Sequence, residues 1–555
     1  MIRKILKISL IFSVGVFHMI AQAQERVYLQ TDKQLYLAGE LLWMKLYTTD
    51  IDGKLTSLSK IGYVELVHDS IPEVQVKLDI QNGTGAGWME LPTMLPTGYY
   101  RMIAYTRYMR NEEESVFFEK IIGIFNPFNQ NDLPHDNEPK IELSYNFAEK
   151  NLQSVDVSAD KPTYKKRNNG ELRIKGLSSE NISLGISIAG MDPVLETNIT
   201  VDGWKKKLAE KNSSFTGERF LPEYEGAIID GVLIDLETKN PSVDRMVVNL
   251  LSFPGPEIQL FAGQADENGN VFFYTQCVTG KKELTTTSIT SSDKKHRVDI
   301  RSPYTLHTPK HLPLFNPDST WRSYLQTRNL SLQVTHAAMA DSLSRIKEIG
   351  PCTLYRPYSH YELDEYTRFS NMEDVFVEFI TFARIRRTGE GRRFSMMTEN
   401  LDNYTNNVLV LFDNIPISNH ELMCAYNPLL IKTIDLHLGR YLFGGHLFEG
   451  MISFISYKND YPDITFDENT QLFHYSGTQP YRYFYTPQYD KASVSSRFPD
   501  FRHTLLWEPD IQSNGQNELT IPFTTSDISG NYQITVEGIG MNGTVVHATL
   551  VIEVE

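Results

Sequence analysis

Val27-Tyr28-Leu29-Gln30-Thr31-Asp32-Lys33, followed by Tyr36, Ala38-Gly39-Glu40 and Trp43, is the stretch on which the fold turns. An apolar-rich run leads into Asp32, whose short carboxylate can accept backbone N–H groups in a turn. Gly39 permits the positive φ that a second turn needs. Beyond it, Leu42, Met44 and Leu46 alternate with Trp43, Lys45 and Tyr47, the period-two pattern of a half-buried strand. Strand, turn, turn, strand predicts an antiparallel module.

The same texture continues outward. Tyr63-Val64-Glu65-Leu66-Val67, Val74-Gln75-Val76-Lys77-Leu78 and Leu172-Arg173-Ile174-Lys175 all read as short strands between turns of Gly, Asn, Asp and Pro. Two stretches read as helices, residues 330–349 and 370–385. In the second, Ser370 and Glu373 have capping-box spacing, and Met372, Phe376, Phe379 and Ala383 recur on one face. The expected class is mainly β: tandem β-sandwich domains of macroglobulin or immunoglobulin-like type, plus one α+β domain. The expected blocks are residues 1–23, 24–128, 138–200, 222–302, 305–460, an aromatic-rich connection at 461–497, and a C-terminal β domain at 498–555.

The first block reads as a signal peptide. Arg3, Lys4 and Lys7 precede an apolar run at 8–20, and Ala21-Gln22-Ala23 offers the small-x-small cleavage pattern, with Ala21 and Ala23 at the cleavage positions. The run falls short of the roughly 20 residues a spanning helix needs, and no later segment is long and apolar enough to span. Export to the periplasm or to the vicinity of the outer membrane is the expectation. A net charge of -16 gives no electrostatic reason to expect nucleic acid. Arg384, Arg386, Arg387, Arg392 and Arg393 form a local basic cluster, read as a solvated face. Three cysteines, Cys277, Cys352 and Cys424, are too few for a disulfide scaffold, and their redox state stays open.

Residues 27–43 resemble the opening of a macroglobulin-type second domain, a β-sandwich module with a Thr-Asp-Lys turn (Thr31, Asp32, Lys33), a Tyr (Tyr36) and a Pro-Gly-Glu turn, here Ala38-Gly39-Glu40. Residues 95–106, Leu95-Pro96-Thr97-Gly98-Tyr99-Tyr100 and the six that follow, fit its closing strand. Asp160-Lys161-Pro162-Thr163-Tyr164 echoes the turn and implies a second such domain at 138–200. Residues 225–233 and Asp266-Glu267-Asn268-Gly269-Asn270 are similar to the carboxypeptidase regulatory-like, transthyretin-like sandwich. The run Val408-Leu409-Val410-Leu411-Phe412-Asp413-Asn414-Ile415-Pro416-Ile417, then Asn427-Pro428, Gly439-Arg440, Gly444 and Gly450, resembles the plug domain of TonB-dependent receptors, with Asn414 where Gly is usual. About 22 strands make the barrel of such receptors, and the residues after 460 cannot supply them. The combination resembles exported multidomain proteins of Bacteroidota.

No catalytic, cofactor-binding or metal-binding residues are expected. The cysteine contexts lack a Cys-Gly-Glu-Gln thioester motif. Gly538-Ile539-Gly540-Met541-Asn542-Gly543 spells a dinucleotide fingerprint, but a strand-like run follows it where a helix is required, so Asn542-Gly543 reads as a hairpin turn. His307 and His311 have helical spacing, but Pro309 lies between them. His360, Glu362, Asp364 and Glu365 read as a solvated loop. The aromatic residues of 461–501 are read as sealing neighbouring domains together. The functional expectation is a non-enzymatic scaffold with an outer-membrane or periplasmic protein partner, such as a TonB-dependent transporter or another barrel. The alternatives are a macroglobulin-like endopeptidase inhibitor without thioester and a degenerate TonB-dependent transport component.

Overall fold

The computed structural model describes residues 24–128, 155–192, 200–210, 219–255, 257–276, 278–290, 295–312, 315, 321–343, 345–347, 355–389, 391–489 and 498–555. The proposed signal segment with Ala21 and Ala23, and both Cys277 and Cys352, lie outside them. The chain is mainly β and forms two compact units. One comprises residues up to 224, 304–348 and 478–555; the other comprises 225–303 and 349–477.

The first unit opens with eight strands: β1 (Glu25–Thr31), β2 (Leu35–Leu37), β3 (Leu41–Asp50), β4 (Ile61–His68), β5 (Ile71–Asp79), β6 (Thr84–Glu90), β7 (Gly98–Thr106) and β8 (Phe118–Phe125). They make a sandwich of two sheets, ordered β1-β3-β6 and β2-β8-β7-β4-β5. Leu42, Met44 and Leu46 enter its core, as their alternation predicts. Trp43, Lys45 and Tyr47 are buried as well, so β3 is covered on both faces rather than half-buried.

The reason is a second sandwich. It uses β9 (Asp156–Ala159), β10 (Thr163–Tyr164), β11 (Asn169–Lys175) and β12 (Ile182–Gly190), then β28 (Thr504–Gln512), β29 (Glu518–Thr524), β30 (Gly530–Gly540) and β31 (Val545–Val554). Its sheets are ordered β9-β11-β29 and β10-β31-β30-β12-β28. Strand for strand this is the first sandwich again, down to the one parallel pair in each, β2 with β8 and β10 with β31. The separate domains expected at 138–200 and 498–555 are therefore one domain. The chain leaves it after β12 and returns at β28, the step that a tight β4–β5 hairpin makes in the first copy. Neither half could close a core alone: Leu172, Ile174 and Ile186 pack against Phe523, Ile534 and Val536.

Local chemistry repeats with the topology. Tyr36 Oη donates to Asp32 Oδ1 (2.8 Å), and Trp43 N donates to the same oxygen (3.1 Å). In the second copy Tyr164 Oη donates to Asp160 Oδ1 (2.6 Å), and Glu171 N does so at 2.8 Å. Gly39 (φ +91°) has its counterpart in Arg167 (φ +53°) seven residues after the aspartate. Tyr100 Oη donates to Pro96 O (2.7 Å) and Tyr532 Oη to Ile528 O (3.0 Å), the tyrosine-corner device of sandwich folds. Two helices join this unit, α1 (Val201–Glu210) and α2 (Trp321–Leu343); the latter lies earlier than the expected 330–349. Leu325 of α2 packs with Leu35, Leu37 and Phe125.

The second unit carries β13 (Ile228–Asp235), β14 (Val248–Ser252), β15 (Leu260–Gly263), β16 (Asn270–Tyr274), β17 (Lys281–Ile289) and β18 (His296–Ile300). With β27 (Thr470–Ser476) they form a sandwich of sheets β16-β13-β18 and β15-β14-β17-β27. The expected aromatic connection at 461–497 thus contributes a strand, and its Phe473 and Tyr475 pack onto the core of the 222–302 block.

Between these segments lie β19 (Ser359–Glu362), α3 (Met372–Glu378), β20 (Ala383–Thr388), β21 (Gly391–Met397), β22 (Tyr404–Thr405), β23 (Leu409–Phe412), β24 (Ile415–Ile417), α4 (His420–Cys424), β25 (Ile431–Phe443) and β26 (His446–Ser456). Their main sheet is ordered β19-β25-β26-β23-β24, and β20-β21-β22 form a separate one. The expected helix at 370–385 is shortened. Asn371 rather than Ser370 caps α3, accepting from Asp374 N, and Ala383 begins the β20–β21 hairpin.

Candidate functional site

The two sandwiches of the first unit meet through polar groups. Residues 182–188 of β12, Ile-Ser-Leu-Gly-Ile-Ser-Ile, send isoleucine and leucine into the core of the second sandwich, leaving Ser183, Gly185 and Ser187 on the other face. That face receives β1 and β3 of the first sandwich. Lys45 Nζ donates to Ser183 Oγ (2.8 Å) and Leu184 O (3.0 Å). Gln30 Nε2 donates to Gly185 O (3.0 Å), and a Cβ on Gly185 would lie 2.1 Å from Gln30 Oε1, so a larger residue would displace the Gln30 amide. Tyr28 Oη donates to Glu537 Oε1 (2.8 Å). Burial holds the Lys45 ammonium down to about 7, with Asp510 opposing the shift. Burial and Glu537 push the Tyr28 and Tyr47 hydroxyls well up.

A second cluster gathers around the turn residues. Thr31 Oγ1 donates to Lys33 O (2.8 Å) and accepts from Lys120 Nζ (2.7 Å). Asp32 Oδ2 accepts from Thr504 Oγ1 (2.9 Å) and from Lys33 Nζ (3.1 Å). Lys33 Nζ also lies 3.5 Å from Glu40 Oε2. Arg328 Nη2 of α2 donates to both Glu40 carboxylate oxygens (2.7 and 3.0 Å), and Arg328 Nη1 donates to Asp192 Oδ1 (2.7 Å). Tyr324 Oη donates to the same Asp192 oxygen, and His503 Nε2 lies 3.4 Å away. Burial alone would raise the Asp192 carboxyl, but Arg328 and His503 outweigh it and hold it down to about 2. Glu40 is lowered in the same way, Arg328 and Lys33 overcoming its burial. Thr31, Asp32, Lys33, Tyr36 and Glu40 are thus one assembly, and Gly39 shapes the turn that presents Glu40.

The remaining motif residues lie in the second unit. Asp413 (φ +47°) and Asn414 (φ +67°) form the left-handed turn of the β23–β24 hairpin. The buried Asp413 carboxylate accepts from Ser456 N, Ser456 Oγ and Tyr461 N, each at 2.7 Å, tying the end of β26 to the turn. Burial nonetheless leaves its carboxyl raised. Pro416 sits buried in β24. Gly439 (φ +140°) marks the register shift of the β25–β26 hairpin, and Gly444 (φ +53°) its tip. A Cβ on Gly450 would lie 2.8 Å from Met396 Sδ.

The other candidates are used locally. Arg384 stacks over Tyr404 at 3.5 Å, and Arg392 pairs with Glu421 (2.5 Å) and Glu373 (3.4 Å). His307 sits in an extended segment between Glu114 (2.9 Å) and Glu65 (3.0 Å), and these carboxylates raise its imidazole despite burial. His311 does not share that site. His360 pairs with Asp435 at 2.6 Å. Residues 538–543 close the β30–β31 hairpin, with Gly543 at φ +84°. Cys424 is a buried free thiol, pushed up to about 12 by burial. Among the described residues no group of three or more His, Cys, Asp or Glu could hold a metal ion. Sequence reasoning missed Lys45, Ser183, Arg328, Asp192 and His503. The Ser-Leu-Gly-Ile-Ser alternation of β12 was the one local signal for them.

No protein-family model matches the sequence, and no curated protein matches it. Among solved structures the chain is similar to Salmonella alpha-2-macroglobulin reacted with methylamine, at 9% identity and TM-score 0.24, covering 96% of this chain and 39% of that one. It is similar also to Escherichia coli alpha-2-macroglobulin activated by porcine elastase, at 8% identity and TM-score 0.25, covering 96% and 44%. A third likeness is to the Yersinia pseudotuberculosis adhesin InvE, at 9% identity and TM-score 0.14, covering 49% and 58%. The chain spans about two fifths of the length of these macroglobulins.

Proposed function

We propose that the chain is an exported, non-enzymatic scaffold that docks a protein partner at the outer membrane. One observation carries the reading. Leu442 and Leu447 face each other across the tip of the long β25–β26 hairpin and are 69% and 41% exposed. Phe443 and Phe448 of this hairpin pack with Val248 and Leu260, so the exposed leucine pair lies on its outer side, where apolar surface favours burial against another protein. The export signal and the plug-like order of residues 408–455 support the outer membrane as the place.

The test is affinity capture from solubilised outer membranes with the intact chain and with Leu442→Glu/Leu447→Glu. Stoichiometric recovery of a barrel protein by the intact chain, lost in the variant, is the expected result. Recovery of no partner, together with inhibition of a protease by the purified chain, would overturn the scaffold in favour of an inhibitor.

A further inference from the structure

Where the sandwiches of the first unit meet, a cavity of about 460 Å³ opens beside the polar layer. That volume lies within the range of small-molecule sites, roughly 300–1,000 Å³. Its walls come from the loop after β3 (Leu55, Thr56, Ser57), the β5–β6 turn (Gln81, Asn82, Thr84), the start of β12 (Asn181, Ser183), the end of β28 (Gln512) and the β30–β31 turn (Met541). Eight of these ten side chains are uncharged amides or hydroxyls, and none carries a charge. An ionic ligand would find no counter-charge there, and an apolar one would strip water from hydrogen-bonding groups without replacing it.

The polar groups are also ordered in advance. Asn514 N donates to Asn181 Oδ1 (2.9 Å), which fixes which end of that amide is oxygen. Asn181 Nδ2 then donates to Gln512 Oε1 (3.1 Å), and Gln512 Nε2 donates to Ser183 Oγ (3.0 Å). Lys45 Nζ donates to the same oxygen (2.8 Å). A serine hydroxyl has two acceptor lone pairs and one proton. Both lone pairs of Ser183 are taken, so its proton is left in need of an acceptor, and Ser183 lines the cavity. The chain of bonds thus starts at a backbone N–H and ends in a hydroxyl donor.

We propose that this cavity binds a neutral, hydroxyl-rich ligand, a mono- or disaccharide. A sugar offers both the acceptors that Ser183 requires and the donors that the amide and hydroxyl oxygens opposite it accept. A peptide would seek a free strand edge, but β12 lies between β28 and β30 and its main chain is already paired. Recognition therefore falls to side chains. Met541, half-exposed, supplies an apolar lip for a sugar's C–H face.

The test is calorimetric titration of the full chain with glucose, galactose, mannose, N-acetylglucosamine and maltose, alongside a blocked neutral dipeptide. Binding of at least one saccharide with a millimolar or tighter Kd is expected. Ser183→Ala should weaken it about five- to tenfold through loss of one hydrogen bond. Met541→Trp, at a half-exposed wall residue outside the hydrogen-bonded chain, should block it with an unchanged circular dichroism spectrum. The proposal falls if no saccharide binds at tens of millimolar, if binding is the same in both variants, or if only the dipeptide binds.

Discussion

Arg328 is the cation on which the turn cluster depends, and Arg328→Met isolates its contribution. Its side chain is 4% exposed; those of Glu40 and Asp192 are 9% and 11%. Methionine keeps much of the volume and removes the charge. Glu40 then retains Lys33 at 3.5 Å, while Asp192 keeps Tyr324 and a neutral-leaning His503. Leaving buried carboxylates without their partner costs about 3–5 kcal/mol. Linkage gives an independent floor. Asp192 is held at about 2 against an ordinary 3.8, and each pKa unit is worth about 1.4 kcal/mol, so this one carboxylate accounts for about 2.5 kcal/mol. A depressed carboxyl stabilises the fold above its unfolded pKa, and that contribution fades as pH falls toward the folded value. The deficit of Arg328→Met should therefore be full at neutral pH and should shrink below about pH 4. Calorimetric melting is the assay, because the two units can melt as separate transitions. The first unit should melt roughly 5–7 °C lower, at about 1.5 °C per kcal/mol for a unit of this size, with the second unchanged. Adding Glu40→Gln and Asp192→Asn should recover at least half of the loss. A single variant within about 1 kcal/mol of the parent would refute the assignment, since that is the scale of an exposed ion pair.

Lys45→Met should be more stable than the parent at pH 7. Lys45 binds its proton less tightly folded, about 7 against 10.5, so the parent gains stability as pH rises between those values. The gap should close by up to about 1.4 kcal/mol per pH unit, read in urea titrations at pH 7 and 9; a gap that stays constant would remove Lys45 from the titrating groups. Tyr36→Phe should destabilise by about 1–3 kcal/mol, because Asp32 is buried and loses a donor. Tyr164→Phe should cost less, because Asp160 is more exposed; equal losses by thermal melting would contradict the burial argument. Residues 155–190 joined through a short turn to 504–555 should fold cooperatively as a domain, and a non-cooperative denaturant curve would show that the split sandwich needs its insertion.

Much of the first sandwich was legible because its signals are local. A turn aspartate, a left-handed glycine and strict alternation each constrain a few neighbouring residues, and the strands at 63–67, 74–78 and 172–175 formed where expected. The hairpins at Asp413-Asn414 and Asn542-Gly543 belong to the same kind of signal. The helix at 370–385 was misjudged for a physical reason. Met372 and Phe376 do face the core from α3, but Ala383 and Ile385 reach it from a strand paired with Phe394 and Met396. Apolar spacing cannot separate one helix from a helix followed by a hairpin when both bury the same residues. The alternation of β3 was read correctly as strand and wrongly as half-exposed. Lys45 and Gln30 look like solvent-facing residues until the second sandwich arrives to satisfy them.

The division of the second sandwich was hidden for a different reason. Asp160-Lys161-Pro162-Thr163-Tyr164 announced the motif, but a domain made of four strands before the insertion and four after leaves no local trace of its incompleteness. The evidence lies in pairing: Ser183 on β12 is bonded to β30 at Ile539 and to β28 at Gln512. Two copies of one module, one continuous and one interrupted at the same hairpin step, explain why the polar layer between them is so fully matched. Each sandwich offers the other a complementary polar face: glutamine and lysine on one side, bare glycine and serine on the other. Gly185 is the tightest point of that match. A methyl group there would meet Gln30 at 2.1 Å, so the interface constrains a residue in one domain through a side chain in the other. The buried Lys45, the Ser183 hydroxyl it bonds and the cavity beside them are consequences of this docking, which is why none of them is visible within either module alone.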